Sequence, residues 1–149
     1  MIDIIADQTK RPFHVETFIH TVLYDALIGN NDRHGRNLGF IVMPSSIVLS
    51  PIYDNVSYLG LESGKMLKAD FNPSGKIGTK AVTSNPGMKD YVEEFIRLGH
   101  DDIIRAFHSK IKLPKLIEAI EGSFCSDLMK DALKRMVTKR LKELANALA

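Results

Sequence analysis

The sequence predicts a mainly α domain (α+β), a set of amphipathic helices carrying one small β-hairpin. Three observations predict it. Val15, Phe18, Ile19, Val22, Leu23, Ala26 and Leu27 recur at three- and four-residue steps, the spacing of a helix buried along one face. Two short apolar runs, 38–43 and 46–49, are separated by Pro44 and Ser45, which reads as a hairpin with a tight turn. From Met88 onward helical periodicity returns and holds along the rest of the chain.

Taken in order, the elements justify that reading. A helix is expected over about 14–28, with Pro12 just upstream where its fixed backbone suits a helix start. Gly29, Asn30 and Asn31 should end it, because Gly and Asn tolerate a left-handed backbone. A loop over 29–37 leads to the hairpin at 38–49 and a turn at 50–57. Over about 58–87 the pattern dissolves among scattered glycines and lysines. It reads as a long mobile loop, with a small hairpin around Asn72, Pro73, Ser74 and Gly75. Its hydroxyls are Ser63, Ser74, Thr79, Thr83 and Ser84.

Helices are expected over about 88–149. The first has Tyr91, Val92, Phe95 and Ile96 on one side; the next are 101–107 and 113–120. The last, from about 123, places Phe124, Leu128, Ala132, Leu133, Met136, Val137, Leu141, Leu144 and Leu148 on one stripe. Its basic residues Lys130, Lys134, Arg135, Lys139, Arg140 and Lys142 are read as a solvated face.

Composition bounds the function. The 149 residues, 44% hydrophobic and 26% charged, suit one domain, 1–149, with its own core. A net charge of +2 gives no direct nucleic-acid or membrane signal. No apolar run reaches the roughly 20 residues of a membrane helix, and the first residues lack the basic start of a secretory signal. Cys125 is the one cysteine, which excludes an internal disulfide and points to a reducing, cytoplasmic compartment. Near a helix start, it is read as a buried structural residue.

The chemistry concentrates in two short segments. Gly29-Asn30-Asn31-Asp32-Arg33-His34-Gly35-Arg36-Asn37 is followed, beyond the hairpin, by Pro51-Ile52-Tyr53-Asp54. The hairpin should bring Asp32, Asn37 and Asp54 around one point. Phosphoryl transfer asks for an oriented nucleophile and for neutralised phosphate charge. Asp32 suits the carboxylate that orients a hydroxyl and accepts its proton. Asn37 and Asp54 suit a magnesium ion, which takes hard oxygen ligands and needs only one or two from the protein. The Asp32-to-Asn37 separation equals that in the kinase signature H-R-D-x-x-x-x-N. Asn30-Asn31 replaces the His-Arg of that signature, and Asn55-Val56 follows Asp54 where Phe-Gly is usual. A zinc site from His20, Asp32, His34 and Asp54 lacks zinc-ligand spacing. His14, His100 and His108 have no partners at recognisable spacing. The stretch 74–79 fails the phosphate-loop template.

These departures resemble, distantly, the catalytic loop of phosphatidylinositol kinases. The fuller stretch from Leu27 to Asn37, with Ser50 to Asp54, more closely resembles the C-terminal domain of HipA-like serine/threonine kinases, toxins of bacterial toxin–antitoxin modules. The specific match covers roughly residues 23–57. The resemblance implies the helix-rich C-terminal lobe of the protein-kinase-like fold, with the hairpin beside the catalytic loop. It implies Asp32 as catalytic base and Asn37 and Asp54 as magnesium ligands. His34 is expected either to contact the γ-phosphate or to stabilise the loop, and Arg36 to help with nucleotide charge. Tyr53 is expected to pack beneath the metal-binding turn. Implied cofactors are Mg2+ and ATP; implied substrates are protein Ser/Thr hydroxyls, on translation factors or aminoacyl-tRNA synthetases in that family.

The residues before the first expected helix are too few for a nucleotide-binding small lobe. Catalysis and ATP binding are therefore expected to require an N-terminal lobe from elsewhere. The alternative is a non-catalytic module that engages an antitoxin-like or substrate partner. A poorly covered face is expected where the small lobe docks, with pairing of two copies through it as a further expected association.

Overall fold

A computed structural model describes residues 1–34, 37–57, 59 and 77–149. The described residues form α1 (Ile2–Thr9), α2 (Pro12–Ile28), β1 (Phe40–Met43), β2 (Ser46–Leu49), α3 (Met88–Arg97), α4 (Asp101–Lys110), α5 (Leu113–Glu121) and α6 (Asp127–Ala147). The mainly α architecture with one hairpin is thus as expected.

Helix α2 is the axis. Pro12 opens it, and no glycine or second proline interrupts it. Ile19, Leu23, Ala26 and Leu27 are completely enclosed, because α1, α3, α4 and α6 all pack on this helix. Each fully buried Ile or Leu contributes about 1.5–3 kcal/mol, so the helix is a firm mount for whatever follows it. It ends at Gly29, in the left-handed region at φ 74°, where a side chain would be strained. The Asn30 N–H then bonds back to the Asp25 carbonyl at 2.8 Å. These bonds fix the direction in which the loop leaves.

In the hairpin Phe40 faces Leu49, and Met43 and Ser46 close the two-residue turn. A Ser50 N–H bond to the Gly39 carbonyl, 2.8 Å long, continues the ladder towards the loop. Helix α1 packs on β2, and Leu49 is buried. Strand β1 is exposed along its whole length although Phe40, Ile41, Val42 and Met43 are all apolar.

Helix α1 was not expected from the sequence; it buries only Ile5 and Thr9, too few positions to make a readable period. Helix α6 starts later than expected because Ser126 caps it, its hydroxyl accepting from the Met129 N–H. Phe124 therefore precedes the helix and is fully exposed rather than packed. Arg140 is also corrected. It is 2% exposed, not on a solvated face, and donates to the Ala26 carbonyl in the last turn of α2. A cation suits that end of a helix dipole. Burial lowers the Arg140 pKa to about 10, which leaves it charged at neutral pH.

Tyr91 on α3 donates to the Ile77 carbonyl at 2.7 Å, tying residue 77 to the helical body. Burial, reinforced by the Asp25 charge, pushes its hydroxyl pKa up. Thr79 is buried with its hydroxyl bonded to Val82, which removes it from the accessible hydroxyls; Thr83 and Ser84 are exposed. The expected hairpin around 72–75, Ser63, Ser74 and Arg36 lie outside the described residues. Among the described residues no helix is long and apolar enough to cross a membrane.

Candidate functional site

The site lies where the end of α2, the following loop and the turn after β2 converge. Its centre is a buried ion pair. Asp25, on the last full turn of α2, receives the Arg33 Nε at 2.5 Å and an Nη at 3.0 Å. Both residues are 2% exposed. Taking two charges out of water carries a large desolvation cost, offset only when the remaining polar groups are also satisfied. Here they are: Arg33 donates to the Tyr53 carbonyl at 2.7 Å and to the Asn55 side-chain oxygen. Arg33 therefore joins the helix to the turn on either side of residue 54.

Asn30, also 2% exposed, makes a second link. Its amide donates to Asp25 and to the Asp54 carbonyl, both at 3.0 Å. Its oxygen accepts from the Asp32 N–H at 3.1 Å. One side chain thus sets the backbone at residues 32 and 54 together.

The consequence is a contact between residues far apart in sequence. The Asn37 amide donates to the Asp54 carboxylate at 2.7 Å. Asn37 is 7% exposed, and Asp54 is exposed. Asp54 holds a left-handed backbone, φ 61°. A non-glycine residue there is uncommon, and such strain clusters at functional sites. The Asp32 carboxylate is half-buried and has no hydrogen-bond or ion-pair partner among the described residues. His34 donates its backbone N–H to the Asn37 oxygen at 3.4 Å, and its Nδ1 is buried without a partner there. Tyr53 corrects the sequence reading. It is 50% exposed, because its carbonyl, not its ring, turns inward to Arg33.

As a donor set, Asn37 and Asp54 combine a neutral amide and an anionic carboxylate with touching tips. Rotation of the amide presents its oxygen beside that carboxylate. Two hard oxygens of these types are donors that suit a magnesium ion. No group of three His, Cys, Asp or Glu capable of holding a metal occurs among the described residues. His20 lies against the Phe107 ring, with centroids 5.6 Å apart.

Sequence reasoning missed Asp25, Asn30 and Arg33 as a working unit. The signal was present for Asp25, which falls three residues after Val22 and seven after Phe18, inside an otherwise apolar stripe.

The class defined by this fold and site is a helical lobe with an Asp/Asn/Asp loop-and-turn centre. The family model for the HipA-like C-terminal domain matches residues 1–121, so the chain belongs to the HipA-like C-terminal domain family. No curated protein matches it.

Proposed function

We propose that this chain is the catalytic lobe of a magnesium-dependent protein Ser/Thr kinase of the HipA-like type, working with a small lobe that covers the nucleotide. The observation that carries the reading is the 2.7 Å contact between Asn37 and Asp54, made across a hairpin from a loop that also holds Asp32. Asn37 and Asp54 would hold the magnesium ion, which when bound offsets phosphate charge. Asp32 orients the acceptor hydroxyl and takes its proton as that oxygen bonds to the γ-phosphorus and the bond to the ADP leaving oxygen breaks. His34, with a ring nitrogen lacking a partner among the described residues, either contacts the γ-phosphate or steadies the loop. Arg36 is assigned to nucleotide charge by resemblance alone.

A second reading has its own support. Strand β1 exposes Phe40, Ile41, Val42 and Met43, a surface suited to another protein. On this reading the chain is a docking module, without turnover, for a small lobe, an antitoxin-like partner or a second copy. Titration of the chain with magnesium-ATP separates the two. The kinase reading expects nucleotide binding and phosphoryl transfer, alone or on adding a small lobe, with transfer abolished in both Asp32→Asn and Asp54→Asn. Absence of magnesium-dependent nucleotide binding in both settings would leave the docking module.

A further inference from the structure

Strand β1 has an edge that the described residues leave open. Ser50 donates its N–H to the Gly39 carbonyl, and the register runs on from there, Phe40 opposite Leu49 and Met43 opposite Ser46. In an antiparallel ladder hydrogen-bonded and non-hydrogen-bonded pairs alternate. The backbone groups of Gly39, Ile41 and Met43 therefore face β2, and those of Phe40 and Val42 face away from it. Among the described residues β1 has β2 as its one strand neighbour, and neither Phe40 nor Val42 makes another main-chain bond.

Both sides of the strand are open as well. Phe40 is 37%, Ile41 45%, Val42 75% and Met43 42% exposed. Proteins usually blunt such an edge with a charge, an internal proline or a bulge. Strand β1 carries no charge and no proline, and its register is continuous.

This edge is complementary to itself. Set antiparallel about a two-fold axis at Ile41, two copies of β1 bring the outward N–H and C=O of each Phe40 against those of Val42, giving four main-chain hydrogen bonds. On one face each Phe40 ring meets a Val42, an aromatic against a β-branched side chain, which is a favoured cross-strand pair. On the other face Ile41 meets Ile41, and each Met43 lies opposite Gly39, which has no side chain to crowd it. No like charges stand opposite each other. Pro44, just beyond, lacks an N–H and ends the ladder. A second copy meets all of these requirements by symmetry.

We infer that two copies of this chain pair through β1, making one four-stranded antiparallel sheet, β2-β1-β1-β2, about a two-fold axis at Ile41. The pairing involves neither magnesium nor nucleotide and stands apart from the kinase reading. Four residues a side make a small interface, under about 1,200 Å2 in total, the class of weak and transient contacts. The dimer therefore dissociates on dilution.

Sedimentation of the pure chain across a concentration series reads the pairing. The mean mass should climb towards twice the 16.7 kDa of one chain. Val42→Pro deletes an N–H that faces away from β2, where an edge strand tolerates proline, and should hold the mass at one chain. Ile41→Lys sets two like charges face to face and should do the same. A disulfide reads the register if either variant fails to fold. In a Cys125→Ser background, Ile41→Cys should crosslink two chains on mild oxidation, because opposed non-hydrogen-bonded residues have Cα atoms about 4.5 Å apart. Phe40→Cys in the same background should not. A chain that stays monomeric up to its solubility limit overturns the proposal. So does a dimer that survives both Val42→Pro and Ile41→Lys, or one that crosslinks equally through Phe40→Cys.

Discussion

Asp25 and Asp54 are carboxylates of one network in opposite circumstances. Asp25 is buried, with both oxygens taken by Arg33 and one shared with Asn30. Asp54 is exposed, on a left-handed backbone, with the Asn37 amide on one oxygen. A carboxylate whose capacity is filled by protein has nothing left for a ligand; it sets positions. One that keeps open capacity, held by a backbone that other residues have fixed, is available for a cation. The network divides accordingly into a clamp (Asp25, Asn30, Arg33) and a face (Asp32, Asn37, Asp54).

The strongest way to break this division is to cut the clamp. Arg33→Met leaves Asp25 buried and unpaired, and the expected loss is about 3–5 kcal/mol in denaturant unfolding. Asp54→Ala leaves the buried Asn37 amide without its acceptor and should cost less, about 1–3 kcal/mol, while removing magnesium binding in calorimetry. If Asp54→Ala destabilises as much as Arg33→Met, the two carboxylates are not different in kind.

Asn30→Ala sharpens the boundary, because Asn30 belongs to the clamp yet touches the backbone on both sides of the face. Its loss should weaken magnesium binding about 10–100-fold, as residues that orient metal ligands do. Magnesium affinity unchanged in a folded Asn30→Ala protein would show that Arg33 alone aligns the turn.

Arg140→Met tests the support behind the clamp. Arg140 bonds the Ala26 carbonyl one residue after Asp25. Removing a charged donor from a buried carbonyl should cost about 1.5–3 kcal/mol, with magnesium affinity preserved if the clamp holds without it. A fall in affinity matching the fall in stability would instead merge α6 with the site.

The meeting of Asn37 with Asp54 was legible in the sequence and the clamp was not, for a physical reason. The two residues flank a two-strand hairpin, and the separations around a hairpin are what a sequence records. Helix α2 was legible from its apolar period, and the hairpin from two short apolar runs separated by Pro44 and Ser45. Asp25–Arg33 depends on which way one loop folds back over eight residues, and no periodicity encodes that. Arg140 is an instructive intermediate. It lies seven residues after Leu133, four after Met136 and four before Leu144, in phase with the buried stripe. Counting it among the basic residues ignored its position in favour of its charge. A charged residue in register with an apolar stripe is the sign that both Asp25 and Arg140 gave.

The smallest expected effect concerns a titrating group outside both networks. Burial lowers the His20 pKa from the ordinary 6.5, with Lys110 acting the same way and Glu16 partly opposing. A base with a lowered folded-state pKa is protonated first in the unfolded chain as pH falls. Stability should therefore be complete above pH 6.5 and decline as pH drops from there towards the folded-state value. His20→Gln should flatten that part of the stability profile without altering magnesium binding at neutral pH. If the decline persists in His20→Gln, the proton uptake belongs to another group.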